Sequence, residues 1–292
     1  MIVIADSGST KTDWTLIGDN GQVLGQCSSA GMNPYHLTDE EMGAIVVDVQ
    51  TSLFSSRILP LESLFFYGSG CTEEQIPRVK ALLSKYFITA KDIDIYSDLL
   101  GAARALLGRK PGVACILGTG SNSCLYDGKD IIANTPPLGY VLGDEGSGAV
   151  LGIRLLNALY KGRLPKEVKE VFERETGLTM AEVVRRVYRE PQANRFLSSL
   201  SLFVGRHLDM PSLRELVIEN FRDFLCKNVK PYMNIMPGNV ESTASDGLCV
   251  CFVGSMACHY EDQLREAARL ESLTLGTVVK SPMEGLIRYH FC

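Results

Sequence analysis

The sequence predicts an α/β protein made of two related lobes. Its 292 residues fit two domains of ordinary size better than one. Twice along the chain, at 1–17 and at 112–126, an apolar strand-like run ends in a tight turn of glycines and hydroxyls, and a second apolar strand follows. The segment Arg109-Lys110-Pro111-Gly112 is the predicted boundary, which gives lobes of residues 1–110 and 111–283.

The composition is that of an ordinary globular protein. Hydrophobic residues make up 46% of the chain and charged residues 22%, which is enough to form a core. The net charge of -5 argues against a nucleic-acid-binding face, which is usually basic. No apolar stretch is long enough to cross a bilayer, and the first residues lack the basic region of a signal peptide. We therefore expect neither a nucleic-acid partner nor a membrane.

The nine cysteines form no regular disulfide framework, which favours a reducing, cytoplasmic location. Four of them lie in apolar strand-like runs and are expected to be small buried hydrophobes: Cys115, Cys124, Cys249 and Cys251. The pair Cys258-His259 has no convincing partner for a metal site.

The first lobe is predicted to have the order β-β-β-α-β-α-β-α. Asp19-Asn20-Gly21 supplies the turn between the second and third strands. Helices are expected over 40–54, where apolar residues recur at helical spacing, and over 73–87 and 99–107. The strands are expected near residues 2–6, 12–17, 23–27, 64–67 and 93–96.

The second lobe is predicted to open with a similar set of three strands, at 113–117, 123–126 and 131–134. A mainly helical stretch from Gly148 to about Met233 follows, and residues 236–247 have the composition of a loop. The last elements are expected to be a strand at 248–253, a helix at 255–270, a strand at 278–280 and a helix at 284–291.

Both glycine turns are candidates for binding phosphate. Glycine lets the backbone approach a ligand closely, and consecutive N–H groups in such a turn form a nest for an anion. Neither turn has the spacing of a Walker A loop or of a dinucleotide-binding fingerprint. Either turn alone is also compatible with a plain β-turn that binds nothing. The two together favour a phosphate held between the lobes.

Two aspartates lie at predicted strand ends. Asp6 precedes the first glycine turn, where a carboxylate meets phosphate only through Mg²⁺. Asp98 follows the strand at 93–96. It suits two roles, the N-cap of the next helix and a base that accepts a proton during phosphoryl transfer, and both stay open.

Two further segments combine glycine with polar residues. Residues 139–148 contain four glycines, two acids and a serine just before an apolar helix. A capped helix start explains part of this motif, but the number of glycines favours a loop that binds a polyol. Gly254 follows the strand at 248–253. It is compatible with a plain strand-to-helix turn or with a backbone on which adenosine lies.

Together these places resemble the sugar kinase, hsp70 and actin superfamily of ATPases. The closer resemblance is to the family that joins N-acetylglucosamine kinases with the ATPase activators of acyl-CoA reductases and dehydratases. It extends over essentially the whole chain. It implies two actin-like (ribonuclease H-like) α/β lobes, each a mixed five-stranded sheet with flanking helices, and ATP in the cleft. It also implies a helical insertion in the second lobe and a last helix, about 284–292, that packs on the first lobe.

The resemblance assigns roles to individual residues. Asp98 falls where the kinases have their catalytic base, and Asp6 would position Mg²⁺. The residues similar to the sugar-binding positions are Asn33, Gly139, Gly143 and Asp144. The residues similar to the nucleotide-binding positions are Gly8, Ser9, Thr10, Lys11, Thr12, Gly118, Thr119, Gly120, Ser121, Gly254 and Ser255.

The implied activity is transfer of the γ-phosphoryl group from ATP, with Mg²⁺, to a hydroxyl of N-acetylglucosamine or a related amino sugar. Whether the protein forms a homodimer is left open. Leu138 stands where the family usually has tryptophan, which leaves the exact sugar open.

The rival function is an ATPase that activates a dehydratase and needs a thiolate-bound iron–sulfur cluster. Cys115 lies mid-strand between apolar neighbours, so it is expected to be buried and unsuited to such a cluster. A sugar-sensing repressor would need a helix-turn-helix module that the sequence lacks.

Overall fold

The computed structural model describes residues 1–54, 59–233, 235 and 249–291. They fall into two compact units. The first comprises Met1–Lys110, Gly128–Asp130 and Pro282–Cys292, and the second comprises Pro111–Asp127 and Ile131–Ser281.

The first unit is a five-stranded mixed sheet with helices on both faces. Its strands lie in the order β3-β2-β1-β4-β5. The pairs β1–β2 and β2–β3 are antiparallel, and β1–β4 and β4–β5 are parallel. The strands are β1 (Ile2–Ser7), β2 (Lys11–Ile17), β3 (Val23–Ala30), β4 (Leu61–Gly68) and β5 (Ala90–Ser97). The helices are α1 (Asp39–Phe54), α2 (Ile76–Tyr86), α3 (Asp98–Leu107) and the C-terminal helix Met283–Phe291.

Both faces of this sheet are covered, which explains why β1 is apolar at successive positions. Val3 and Ala5 belong to the same core cluster as the buried side chains of α1 and α2. Ile4 points to the opposite face, where it packs with Met283 and Leu286 of the C-terminal helix. The sheet is thereby held rigid beneath the polar turns at its edge.

The second unit repeats the plan of the first. Its sheet has the order β10-β9-β6-β7-β8, with β6–β7 and β7–β8 antiparallel and β6–β9 and β9–β10 parallel. The strands are β6 (Gly112–Leu117), β7 (Ser121–Tyr126), β8 (Ile131–Asn134), β9 (Val250–Val253) and β10 (Leu275–Val279). The helices are α4 (Gly139–Leu142), α5 (Gly148–Tyr160), α6 (Lys166–Thr176), α7 (Met180–Tyr188), α8 (Ala193–Ser199), α9 (Ser201–Arg206), α10 (Pro211–Phe224), a π-helix (Leu225–Val229), α11 (Lys230–Met233), α12 (Ser255–His259) and α13 (Glu261–Leu270).

The predicted α/β class and the two mixed five-stranded sheets are confirmed. One predicted helix is wrong in part, because residues 255–270 form two helices that break at Tyr260. The buried Tyr260 hydroxyl donates a hydrogen bond to the Ser201 carbonyl, a distant partner that fixes the bend. The predicted loop at 236–247 and the first residue of the strand at 248–253 lie outside the described residues.

The cysteines in the described ranges carry free thiols. Cys115, Cys124 and Cys251 are buried as expected. The expectation for Cys249 is wrong, since it is exposed one residue before β9 begins. Within the described residues, none of the helices has the length and apolar character needed to span a membrane.

Candidate active site

Three polar segments meet at one edge of the first sheet. Ser7, Gly68 and Ser97 are the last residues of β1, β4 and β5, and the strand register places them side by side. The glycine turn, the segment after Gly68 and the residue Asp98 therefore all leave the sheet at the carboxyl ends of parallel strands. This is where ligands bind in open α/β sheets.

Buried hydroxyls hold the first glycine turn from behind. The Met32 N–H donates to Ser7 Oγ over 3.0 Å, and Ser7 Oγ lies 2.8 Å from Thr12 Oγ1. The Thr12 hydroxyl in turn donates to the Ala30 carbonyl over 3.1 Å. Thr12 is fully buried and its hydroxyl is used inside the protein, so it supports the turn, whereas Ser9, Thr10 and Lys11 are exposed.

Asn33 is held close to this turn. A Cβ on the neighbouring Gly31 would lie 2.3 Å from the Gly8 carbonyl oxygen, so only glycine lets the two backbones approach this closely. The buried Asn33 accepts a hydrogen bond from the Tyr35 N–H through Oδ1 at 2.9 Å. In the described part of the chain its Nδ2 has no partner, which leaves a donor for a ligand hydroxyl.

Ser69 also belongs to this edge, although no role was predicted for it. Its N–H donates to the Ser7 carbonyl over 2.7 Å, and its Oγ lies 3.4 Å from Ser9 Oγ. The sequence signal is the Gly68-Ser69-Gly70 turn at the end of β4, which has the same glycine and hydroxyl character as the two candidate phosphate turns.

The structure separates the two possible roles of Asp98. The N-cap of α3 is Ser97, whose Oγ accepts from the Leu100 N–H at 3.2 Å. Asp98 is the first residue of the helix, and its Oδ1 accepts from the Leu99 N–H at 2.9 Å. The N-cap reading of Asp98 is therefore wrong, since Ser97 holds that position and the Asp98 carboxylate accepts only the next N–H of the helix.

Carboxylates crowd together at this edge. Burial, and next the charges of Asp98 and Asp13, raise the pKa of Asp6 to about 7, while Lys11 opposes the shift. Burial raises the pKa of Asp98 to about 6, and its hydrogen bond from the Leu99 N–H opposes the shift. Lys11 Nζ is paired with Asp13 Oδ1 at 2.7 Å. Desolvated carboxylates of this kind gain from a nearby cation.

The carboxyl edge of the first sheet fits a magnesium ion that has few protein ligands. No group of three or more His, Cys, Asp or Glu side chains in the described ranges is arranged to hold a metal. Mg²⁺ usually binds through one or two carboxylates and completes its shell with water and phosphate oxygens. Asp6, with its raised pKa and a second carboxylate near by, can be such a ligand.

In the second unit, the glycine turn and the start of α5 form one hydrogen-bonded structure. The Gly118 carbonyl accepts from the Gly148 N–H at 2.9 Å, and the Thr119 carbonyl accepts from the Ala149 N–H at 3.2 Å. The turn thus satisfies N–H groups that a helix start leaves open. In the described residues the N–H groups of Thr119 and Gly120 have no partner, as a nest for phosphate requires.

Asp144 lies against this turn. It has a positive φ of 52°, and its N–H donates to the Pro137 carbonyl over 2.8 Å. A Cβ on Gly120 would lie 3.0 Å from Asp144 Oδ2. Burial raises the pKa of Asp144 to about 6, the Ser121 N–H opposes the shift, and the charge of Glu145 adds to it. The predicted sugar loop and the predicted second phosphate turn are therefore in contact.

The remaining predicted positions of the second unit lie near the same structure. Gly143 passes so close to Pro137 that a Cβ would lie 2.1 Å from its carbonyl oxygen. Gly139 is exposed with a φ of 73°, and Leu138 before it is 63% exposed.

Gly254 directly follows β9 and lies against the end of the neighbouring strand β6. It has a φ of 127°, and a Cβ there would lie 2.2 Å from the Leu117 carbonyl oxygen, just before the second turn. Ser255 follows it and is exposed. The candidate adenosine residues are therefore next to the candidate phosphate residues of the same unit. The Ser121 hydroxyl in that turn is buried and has no partner in the described residues.

Comparison with known proteins agrees with this geometry. No family profile matches the chain. A candidate N-acetylglucosamine kinase from Porphyromonas gingivalis is 43% identical, with a TM-score of 0.92 over 99% of this chain and 98% of that one. A second, from Chromobacterium violaceum, is 19% identical with a TM-score of 0.71 over 99% and 98%. A glucokinase of the ROK family from Streptomyces griseus, in complex with glucose and AMPPNP, is 11% identical with a TM-score of 0.59 over 99% and 97%.

A curated relative is the N-acetyl-D-glucosamine kinase of Dictyostelium discoideum, 24% identical over 171 residues. The match covers 54% of this chain and 53% of that protein, so the chain spans about half the length of the curated relative it matches.

The two α/β units, each opening with a glycine-rich hairpin, have the actin-like fold of sugar kinases. The 43% identity to the Porphyromonas gingivalis protein extends over nearly all of both chains. The protein therefore belongs to the N-acetylglucosamine kinase family.

The raised pKa of Asp6 predicts how stability depends on pH. The folded protein holds the Asp6 proton more tightly than the unfolded chain, so the free energy of unfolding should fall as the pH rises from 3.8 to about 7. The raised pKa values of Asp98 and Asp144 add to this fall in the free energy of unfolding up to about pH 6. Asp6→Asn should therefore make the loss shallower between pH 3.8 and about 7, and the loss that remains should end near pH 6.

Thermal unfolding of the wild type and Asp6→Asn, measured from about pH 4 to about pH 8, checks this expectation. Asp48→Asn, at an exposed position on α1, is the control and should keep the wild-type profile. Parallel profiles for wild type and Asp6→Asn would contradict the assignment.

Proposed function

We propose that this protein transfers the γ-phosphoryl group of ATP to a hydroxyl of N-acetylglucosamine or a closely related amino sugar. Membership of the N-acetylglucosamine kinase family supports the substrate class. The observation that carries the proposal is the Asp98 carboxylate, which lies at the carboxyl edge of the first sheet and is not needed for capping because Ser97 caps α3.

The two glycine turns bind the β- and γ-phosphates. In the first turn the exposed Ser9, Thr10 and Lys11 supply donors and charge. In the second, the unpartnered N–H groups of Thr119 and Gly120 face the ligand. The buried Ser121 hydroxyl, which lacks a partner in the described residues, donates to a phosphate oxygen. The glycines at positions 8, 118 and 120 let the phosphates approach, and Gly254 and Ser255 line the adenosine.

Asp6 holds Mg²⁺, which neutralises phosphate charge when it is bound. Lys11 is paired with Asp13, so its charge is fixed near the same carboxylate and opposes the rise in the Asp6 pKa. Phosphoryl transfer needs mainly positioning and charge neutralisation, and these groups supply both.

Asp98 is the general base. Burial raises its pKa to about 6, which keeps it ionised at neutral pH and close to the value at which a base works best. It accepts the proton of the attacking sugar hydroxyl while that oxygen bonds to the γ-phosphorus. The bond from this phosphorus to the bridging oxygen breaks, and ADP leaves with the electron pair.

The sugar is held by Asn33, Gly139, Gly143 and Asp144. Asn33 Nδ2 is an unused donor in the described chain, and Asp144 accepts from sugar hydroxyls with its carboxylate. Gly139 and Gly143 have no side chain, so a sugar ring can approach the backbone at these positions. The exposed Leu138, in place of an aromatic wall, makes the pocket tolerant of related sugars.

The rival activity, an ATPase activator with an iron–sulfur cluster, is disfavoured by one observation. Cys115, the cysteine ahead of the second turn, is 0% exposed, and burial raises the pKa of its thiol well above the ordinary value. A cluster ligand must be an accessible thiolate.

A panel of sugars tests the proposed function directly. ADP release is measured with ATP, Mg²⁺ and N-acetylglucosamine, N-acetylmannosamine, glucosamine, glucose or fructose. We expect N-acetylglucosamine or a close relative to give the highest kcat/KM. Activity confined to glucose or fructose would overturn the substrate class, and ATP hydrolysis that no sugar stimulates would overturn the kinase assignment.

Two substitutions at the start of α3 should separate catalysis from capping. Asp98→Asn removes the base but keeps an oxygen for the Leu99 N–H, so turnover should fall about 10²–10⁴-fold with less than about 1 kcal/mol change in stability. Ser97→Ala loses the cap, so it should cost about 1 kcal/mol of stability and retain most of the turnover. Turnover and thermal unfolding of both variants check this pair, and near-normal turnover in Asp98→Asn would move the base elsewhere.

The glycines of the turns should be sensitive to a single methyl group. A Cβ at Gly8 would meet only the Lys11 carbonyl at 3.6 Å, and one at Gly118 would meet nothing within 4 Å. Both Gly8→Ala and Gly118→Ala should therefore fold normally and weaken ATP binding by about tenfold, while sugar binding changes little.

Calorimetric titration with ATP and with sugar measures both affinities. Gly25→Ala on β3 is the matched control, because its Cβ would also have ordinary space, 3.5 Å from the Leu53 carbonyl oxygen. Equal losses of ATP and sugar binding would indicate a general disturbance of the fold instead of a lost phosphate contact.

A further inference from the structure

A π-helix lies beside the acidic loop of the second unit, residues 143–147. It occupies Leu225–Val229, between α10 and α11. Single turns of π-helix are rare and occur frequently at functional sites. None of its residues has a role in the proposed catalysis, so its contacts with the acidic loop need another explanation.

The end of the acidic loop is fixed to α10. Asn220 is fully buried, and its Nδ2 donates to the Ser147 carbonyl over 3.2 Å. Gly146 packs on Phe224, where a Cβ would lie 2.8 Å from that of Phe224. These contacts hold the backbone at 146–147 and leave the two acidic residues before it to be oriented separately.

The segment that enters the acidic loop is fixed to the same helical element. The Thr135 N–H donates to Tyr232 Oη over 2.8 Å, and Tyr232 Oη also lies 2.8 Å from Ser123 Oγ. Ser123 Oγ donates to the Asn228 carbonyl, in the π-helix, over 3.0 Å. The chain from 135 to 147 is thus fixed near both ends by one continuous helical element.

Lys227 of the π-helix reaches the acidic loop itself. Its Nζ lies 3.4 Å from Glu145 Oε1 and 3.8 Å from Asp223 Oδ2. Asp223 also pairs with Arg154 of α5. The charges therefore alternate along a row, Arg154, Asp223, Lys227 and Glu145. Such a network constrains geometry more than an isolated surface pair does.

Asp144, next to Glu145, has a conformation that needs this constraint. Its φ of 52° lies in the left-handed region, which aspartate enters at a higher cost than glycine and which the surroundings must stabilise. The negative charge of Glu145 also acts on the Asp144 carboxyl. A cation that holds Glu145 toward α10 fixes the backbone of its neighbour and offsets part of that charge.

We propose that Lys227 is a positioning residue for the acceptor sugar, which acts through Glu145 to set the conformation of Asp144. The role of Asp144 toward the sugar rests on the proposed function, whereas the effect of Lys227 on the loop does not.

Steady-state kinetics of Lys227→Met test the positioning role. Losing the ion pair should raise the KM for the sugar about three- to fivefold, the upper range for a partly exposed pair, with the KM for ATP within about twofold of wild type. Lys227→Arg should restore the sugar KM. The control is Lys169→Met on α6, a lysine of similar exposure that pairs with Glu173 at 3.8 Å; it should have wild-type kinetics.

The route through Glu145 is tested by a double-mutant cycle. In a Glu145→Gln background, Lys227→Met should have little further effect on the sugar KM. Additive effects of the two substitutions would overturn the proposed route, as would a Lys227→Met variant with unchanged sugar KM.

Amide hydrogen exchange separates this proposal from the proposed function. Peptides that cover residues 143–147 should exchange faster in Lys227→Met than in wild type or Lys169→Met, whatever the enzyme phosphorylates. Unchanged exchange would overturn the positioning role. Faster exchange in a protein that phosphorylates no sugar would uphold the role of Lys227 on the loop and reject the kinase assignment.

Discussion

A chain of buried hydrogen bonds behind the first glycine turn determines the shape of this end of the first sheet. A hydroxyl has one proton to donate, and that of Thr12 goes to the Ala30 carbonyl. Ser7 must therefore donate to Thr12, while Ser7 Oγ accepts from the Met32 N–H. Every donor in this chain has one acceptor, and loss of either hydroxyl would leave a buried partner unpaired at a cost of about 1–3 kcal/mol. The chain ties β1 and β2 to the segment that carries Asn33, so the same hydrogen bonds hold the first glycine turn and the start of that segment.

The negative charges of Asp6 and Asp98, at the same end of the first sheet, are unfavourable in the free protein. Burial raises the pKa of both Asp6 and Asp98, and the charge of Asp98 further raises the pKa of Asp6. The uncomplexed protein therefore holds its negative charge at a cost that a bound cation would remove. The rise in pKa is opposed at Asp98 by the hydrogen bond from the Leu99 N–H and at Asp6 by the charge of Lys11.

Sequence patterns were sufficient to predict those features that depend on residues close together in the chain. Apolar runs that end in glycine and hydroxyl turns predicted both sheets, and strand ends predicted the positions of Asp6 and Asp98. Adjacent residues of similar capping ability, Ser97 and Asp98, could not be told apart, because the geometry of the first turn decides which one caps. The break at Tyr260 depends on its hydrogen bond to Ser201, and the pairing of Lys227 with Glu145 joins residues far apart in the chain. No local pattern records such contacts.

The two glycine turns look alike in sequence but are supported by different means. The first depends on the hydroxyl chain, whereas the carbonyls of the second accept hydrogen bonds from the first N–H groups of α5. Because the carbonyls of the second turn are used in this way, its backbone N–H groups stay open to a ligand. The positive end of the α5 dipole points toward the same turn. Asp144 enters this turn as a carboxylate with a raised pKa, which opposes the positive potential. A loop that brings a carboxylate so close to the glycine turn must be held accurately, and the contacts from α10 and the π-helix supply that restraint. Each glycine turn is therefore supported by hydrogen bonds within its own unit.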